Sequence, residues 1–293
     1  MSNSIVCGID LSSGSERTAA VAARVARALR CRVAAVHVDG EPPGVASIER
    51  ARRLRALEAL VEKHDFPDGS LARLAGGEAA ETLARRAHDH DAQLLVVGSR
   101  GMGALRTALL GSVSAELLRS APCPVVVVPP GLTLPFAHPG MRPVVCGIEG
   151  SDRDRDVLRF GADVAGRLGS DLLAVHAFDP RSLYAVHAVP IEVRGLREAA
   201  EARVERALRD ARVRARATVA PLPAALALAQ VAEERRAGLL VVGSRASSKL
   251  GSLLRGSVVT QLTSQVDCPL VVLPRTAEIA TGSGHYEVSA GAA

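Results

Sequence analysis

A doubly wound α/β fold written twice in tandem, each copy a parallel five-stranded sheet covered by helices, is what the sequence predicts. Three observations carry it. The chain repeats itself, near-continuous apolar strands alternate with amphipathic helical stretches, and the composition is aliphatic, with 48% hydrophobic residues but only 2% aromatics and no Trp. Strands buried on both faces need Val, Leu, Ile and Ala in runs, which is the pattern of parallel sheets. A length of 293 residues suits two domains of about 150 residues, each able to bury most of its unfolded surface.

The repeat is strong. Residues 5-IVCGID-10 return as 144-VVCGIE-149 and 35-AVH-37 as 174-AVH-176, both 139 residues on. Further along the spacing becomes 145, for 94-LLVVGSR-100 with 239-LLVVGSR-245, 111-GSV-113 with 256-GSV-258, and 123-CPVVVVP-129 with 268-CPLVVLP-274. The six-residue difference implies an insertion in the second copy, placed around 186–210. The stretch 129-PPGLTLPFAHPGMRP-143 is too rich in Pro and Gly to continue a helix or strand, so domains are expected at 1–130 and 142–275, with a disordered polar tail at 276–293.

In the first copy, strand 1 is expected at 4-SIVCGI-9. A helix follows, opened by a capping box of Ser13 with Glu16 and striped by Val21, Val25 and Leu29. Strand 2 is 32-RVAAVHV-38. A helix near 45–64, a short strand near 70–75 and a helix near 79–90 come next, then strand 4 at 93-QLLVV-97, a helix near 112–120 and strand 5 in 123-CPVVVV-128.

Charge and cysteine usage narrow the function classes. The net charge is +5, from 36 basic against 31 acidic residues, with the arginines spread along amphipathic segments and stacking aromatics nearly absent, so nucleic acid is not the expected partner. Five cysteines without a CxxC, four of them in or beside strands, fit a reduced cytoplasmic interior. Cys123 and Cys268 are read as packing residues. No signal-length apolar stretch follows a basic N-terminus, and no apolar run approaches the ~18 residues of a membrane span, so a cytoplasmic protein without membrane contact is expected. His88 and His90 are expected on a solvated helix face and not as metal ligands. His37 and His176, ending a buried strand, are expected as hydrogen-bonded core residues.

The chemistry concentrates in 98-GSRGMGALRTALLGSVS-114, between strand 4 and a helix. In an open parallel sheet, ligands sit beyond the carboxyl ends of the strands where strand order reverses, which brings Gly8-Ile9-Asp10 and Val97-Gly98 to one crevice. Gly98 and Gly101 permit positive φ and remove Cβ atoms where a phosphate chain would lie against backbone. Gly111 precedes a helix whose first amides, on Ser112, Val113 and Ser114, have no intrahelical acceptor. Together with two serine hydroxyls they form an anion site, each charge-assisted bond being worth roughly 1.5–3 kcal/mol. Asp10 can accept from ribose hydroxyls, or else cap the helix that follows it.

The run Gly98-x2-Gly101-x9-Gly111-Ser112, with the strand-1 tip, AVHV and the terminal CPVVVVP, resembles the ATP-binding motif of the universal stress protein family, and the resemblance covers nearly the whole chain as two tandem domains. It implies a Rossmann-like sheet of order 3-2-1-4-5 in each copy. It also implies ATP as ligand, with an accompanying Mg²⁺ left open, Asp10 on the nucleoside, Val38 against adenine, Val97 and Gly98 near base and ribose, and Gly101, Gly111, Ser112, Val113 and Ser114 at the phosphates. The corresponding second-copy positions are Gly243, Gly256, Ser257 and Val258. That copy departs from the pattern, with Ala246 for Gly101, Val259 for Ser114, Glu149 for Asp10 and Ala177 for Val38, so tighter binding is expected in the first domain. The terminal strands are implied as the contact of an internal pseudo-dimer, with a further homodimer and a protein partner left open.

No Gly-x4-Gly-Lys-Ser/Thr occurs, which removes a P-loop ATPase, and with only Asp10 and Arg100 available to assist, any hydrolysis is expected to be slow. Three functions stay open: a nucleotide-dependent stress-response or signalling protein, a slow ATPase on the same fold, and a nucleotide-independent interaction module.

Overall fold

The structure, a computed structural model, describes residues 3–39, 48–99, 110–132, 142–180, 193–244 and 258–274. In the first half, β1 (Ser4–Gly8) leads through α1 (Ser15–Leu29) to β2 (Arg32–Val38), then α2 (Ile48–Lys63), β3 (Leu71–Ala75), α3 (Ala79–Asp89), β4 (Leu94–Gly98), α4 (Ser112–Ser120) and β5 (Val125–Val128). The second half repeats the order: β6 (Val144–Ile148), α5 (Asp154–Leu168), β7 (Leu172–Ala177), α6 (Val193–Ala211), β8 (Arg216–Ala220), α7 (Ala224–Glu234), β9 (Leu239–Gly243), α8 (Val258–Gln265) and β10 (Leu270–Leu273). The expected tail lies outside the described residues.

Each half has the strand order 3-2-1-4-5, and the two halves merge into one ten-stranded sheet, β3-β2-β1-β4-β5-β10-β9-β6-β7-β8. The sequence predicts two sheets. They become one because β5 and β10 are short, fully buried four-residue strands that would otherwise be bare apolar edges. They pair antiparallel, Val126 opposite Val271, while the other strand pairs are parallel. Two helical layers then cover the sheet. One core holds Ile5, Cys7, Val126 and Val271 under α1, α2, α5 and α6, and the other holds Val6, Leu95, Val127 and Leu240 under α3, α4, α7 and α8.

α1 buries Val21 and Leu29, with Val25 packed at the core's margin, as the stripe requires. The expected capping box is absent. The residue before the helix is Gly14, with no side-chain cap, and Glu16 instead reaches α2, 2.7 Å from Lys63 Nζ and 2.7 Å from His64 Nε2. An ammonium is a stronger partner than a backbone amide, and the Lys63 hydrogen bond holds the Glu16 carboxyl below its usual range.

α1 ends on Arg30 at φ 54°, where the second half ends α5 on Gly169 at φ 62°. A left-handed residue with a Cβ is strained there. Arg30→Gly is therefore expected to stabilise the chain by about 0.5–1 kcal/mol, less the bond that Asn3 donates to the Arg30 carbonyl if the turn shifts. Urea unfolding of both proteins at equal slope measures it.

Arginines lie on solvated helix faces beside acids one turn away, as in Arg85–Glu81, Arg197–Glu201 and Arg209–Glu205. In these pairs the positive charge is matched by an acid on the same helix. No helix among the described residues is long and apolar enough to cross a membrane.

Candidate functional site

Parallel pairing places the carboxyl ends of β1, β2 and β4 side by side, with Cys7 opposite Val96 and Gly8 opposite Val36. Alternation along the strands then decides which side chains share a face. A Cβ on Gly8 would meet Leu83 Cδ1 of α3 at 2.8 Å and Val97 Cγ1 at 3.1 Å, while Val38, Val97 and Val113 all pack in the core beneath α3 and α4. These four positions therefore meet at one end of one layer. Gly8 is small because α3 packs against it, a packing role as well as a place at the crevice.

Ile9 differs from expectation. Its side chain is buried in the opposite layer, its amide donates to Val36 O at 2.9 Å, and its carbonyl accepts from His37 Nδ1 at 2.8 Å. Its side chain and amide are committed within the fold, where they support the tip. The matching bond in the second half runs from His176 Nδ1 to Ile148 O at 3.0 Å. Both histidines are core residues tying β2 to β1 and β7 to β6. His88 and His90 are exposed at the end of α3.

Asp10 stands at the tip itself, half-buried. Its Oδ1 accepts from the Ser12 amide at 3.0 Å and from the Ser15 hydroxyl at 2.9 Å, so it braces the turn into α1. Leu11, next along, sits at φ 60°. Ser15 as the orienting donor to Asp10 is missed by the sequence reading, although a serine at the start of the helix, five residues after a strand-tip acid, is a readable signal.

At β4 the chain ends the strand on Gly98, which is extended and paired with Val128. It is not among the glycines at positive φ, so backbone conformation does not require a glycine there, contrary to the expectation from sequence. Gly101 lies outside the described residues, as do Arg100, Arg245 and Ala246. The chain re-enters at Gly111, whose amide donates to Ser99 O at 2.7 Å and so pins the start of α4 against the end of β4. Gly111 has φ −70° and ψ 156°, and the first intrahelical bond is Ala115 N to Gly111 O at 2.9 Å. The amides of Ser112, Val113 and Ser114 therefore stand at the helix mouth with no acceptor within the helix. The Ser112 side chain is exposed. The Ser114 hydroxyl is committed, donating to Gly98 O at 2.6 Å in a buried position, so Ser114 contributes its amide and a clamp, and not the hydroxyl expected of it.

The second half rebuilds the tips differently. Val259 cannot make the Ser114 clamp, and both it and Val258 pack on the core. Gly256 and Ser257 lie outside the described residues. Gly243 ends β9, with ordinary contact to Val157 where a Cβ would stand. Asp154 occupies the place of Ser15, 139 residues on, and its buried carboxylate accepts from the amides of Glu149 at 3.0 Å and Gly150 at 2.7 Å. Burial pushes the Asp154 carboxyl up, opposed by those two bonds. Glu149 accepts from the Ser151 hydroxyl at 3.2 Å. Two carboxylates thus stand at this tip where the first half has one, a poorer surrounding for an anion. Arg203 supports the tip from the other layer, lying against Gly150 at φ 89° and donating toward His176 Nε2 at 3.3 Å.

All five thiols are free and buried. Burial pushes Cys123 and Cys268 up to about 12 and raises Cys7, Cys31 and Cys146 as well. The native chain is therefore expected to leave all five cysteines unlabelled by N-ethylmaleimide at neutral pH over minutes, and the denatured chain to take up five equivalents, as read by intact mass.

Comparison with known proteins agrees with the fold. The pattern of the universal stress protein family matches residues 1–129 and 140–274. Universal stress protein Rv1996 of Mycobacterium tuberculosis is 33% identical over 240 residues, 77% of this chain and 71% of that protein. A universal stress protein of Mycolicibacterium smegmatis is 31% identical over 291 residues, 92% and 97% of the two chains. Among solved structures, the functionally unknown protein PA1789 of Pseudomonas aeruginosa shares the fold at TM-score 0.63 and 15% identity, covering 94% of this chain and 93% of its own.

Proposed function

The chain belongs to the universal stress protein family, and we propose that its first half, residues 1–130, binds ATP and that the bound nucleotide serves a stress-response or signalling role. The observation that carries this is the open mouth of α4, pinned by Gly111 N to Ser99 O beside the tips of β1 and β4, with three successive amides unbonded within the helix. A triphosphate fits such a mouth because unpaired N–H groups and the helix dipole both favour negative charge there. Asp10, held by Ser12 and Ser15, is placed to accept from ribose, and Val38 offers an apolar surface at the β2 tip for a base. When bound, Mg²⁺ would sit with the phosphates and screen their charge.

The second half, residues 142–275, acts chiefly as the structural partner across the β5–β10 seam, since it lacks the Ser114 clamp and carries the extra Asp154 carboxylate. Five reduced thiols suit a cytoplasmic setting. Nucleotide occupancy is then read by a protein partner, or across a homodimer, at the β-strand tips.

Thermal unfolding tests the binding. ATP at about 100 times its dissociation constant adds roughly 2.7 kcal/mol, an expected rise of about 5–10 °C in the melting temperature of the half that binds. A melting curve indifferent to millimolar ATP would favour a nucleotide-independent interaction module. Phosphate release in the same samples separates binding from slow hydrolysis.

A further inference from the structure

The tip of β2 carries a buried ion pair beside the base end of the crevice. Asp39 follows Val38 directly, and Arg50 of α2 sets its Nη1 3.2 Å from Asp39 Oδ1 and 3.1 Å from Oδ2. The Asp39 side chain is 0% exposed and that of Arg50 17%. Alternation along the strand sends the two neighbours to opposite layers, so that Val38 packs beneath α3 and α4 while Asp39 turns the other way, to α2. The Asp39 amide donates to Ala75 O of β3 at 2.9 Å. The residue after Val38 is thus fixed to a strand through its backbone and to a helix through its side chain.

The fold itself does not ask for these charges. Taking both ions out of water is costly, and apolar residues of like volume commonly stabilise such a place as well or better. The second half does so. Phe178, 139 residues after Asp39, makes the matching backbone bond to Ala220 O at 2.9 Å, and an apolar ring stands where the first half has a carboxylate. Arg50 also lies in the first turn of α2, the end at which the helix dipole disfavours a cation. What the pair adds over apolar contact is direction, because charge-assisted hydrogen bonds fix angle as well as distance.

We propose that Asp39 and Arg50 are positioning residues of the base seat, bracing the end of β2 from behind so that Val38 presents a fixed apolar surface to the base, a role that rests on the nucleotide reading of the first half. The pair stands at the β2 tip, and the phosphates are assigned to the mouth of α4. Loosening the pair therefore takes away the nucleoside's share of the affinity and leaves the share of the phosphates.

Calorimetric titration of the full chain with ATP, and with inorganic tripolyphosphate as its competitor, tests this. Arg50→Met is expected to weaken ATP binding about tenfold, as a seat left loose by its supporting residues does, and to leave tripolyphosphate within about twofold of wild type. Asp39→Leu combined with Arg50→Met removes both charges together, which a fold tolerates, and is expected to give the same split. Arg50→Lys, which keeps the charge but not the planar fork, is expected to fall between wild type and Arg50→Met. Denaturant unfolding shows that each variant is folded. Wild-type affinity for ATP in the folded double variant overturns the proposal. So does tripolyphosphate that weakens in step with ATP, or that fails to compete with ATP in the wild type. A double variant that does not fold overturns it too, the pair then being a requirement of the fold. A wild-type chain that takes up no ATP overturns the nucleotide reading as well as the role of the pair.

Discussion

Ser112→Pro is expected to weaken ATP binding by about 10- to 150-fold while changing the stability of the fold by less than about 1 kcal/mol. The substitution deletes one N–H from the mouth of α4, and a charge-assisted bond of roughly 1.5–3 kcal/mol converts to that range of affinity. It is chosen because the helix barely notices it. Ser112 is the first residue of α4, where the amide has no intrahelical acceptor and proline's fixed φ is already suited. Gly111 before it has φ −70° and ψ 156°, the region that a residue preceding proline prefers. The side chain lost is exposed. Calorimetry gives the affinity and denaturant unfolding the stability. Unchanged affinity in a protein of unchanged stability would mean that the Ser112 amide does not hold phosphate.

The larger structural effect is expected at the seam. Val271→Asp puts a carboxylate where Val271 is 1% exposed, opposite Val126 in the antiparallel pair that turns two five-stranded sheets into one. An unpaired buried charge costs several kcal/mol, so a loss of about 4 kcal/mol or more is expected, a fall in melting temperature of at least about 8 °C. Val271→Thr, nearly isosteric, should lose only about 1–2 kcal/mol. A Val271→Asp protein that melts near the wild-type temperature would show that the β5–β10 contact is dispensable to the fold.

Most of the architecture was legible because it is written in periods and in a repeat. The apolar runs at 94–97 and 239–242 mark the two fourth strands, α4 occupies residues 112–120 as its pattern predicts, and the twin CPVVVVP and CPLVVLP segments point to paired edges. β5 starts at Val125, two residues later than the apolar run, because the proline at 124 has no N–H to give a ladder.

What escaped the sequence depends on partners distant along the chain. Glu16 looked like a capping residue until α2 brought Lys63 to it. The Ser114 hydroxyl looked like a phosphate donor until the strand end supplied the Gly98 carbonyl. Asp154 was legible only by setting the copies against each other at the spacing of 139, which aligns it with Ser15 and shows that a hydroxyl in one half has become a carboxylate in the other. At the candidate site, the strand tips and the helix mouth were readable. The roles of Ile9 and Gly98 were not, because strand alternation and backbone angle decide them.

The most direct test of the nucleotide assignment is to denature the purified chain by heat, identify the released small molecules by mass spectrometry, and titrate the nucleotide-free protein with ATP. One equivalent of adenine nucleotide per chain, restored by ATP with a single saturable transition, is the predicted result. No released nucleotide together with no saturable ATP binding would contradict it.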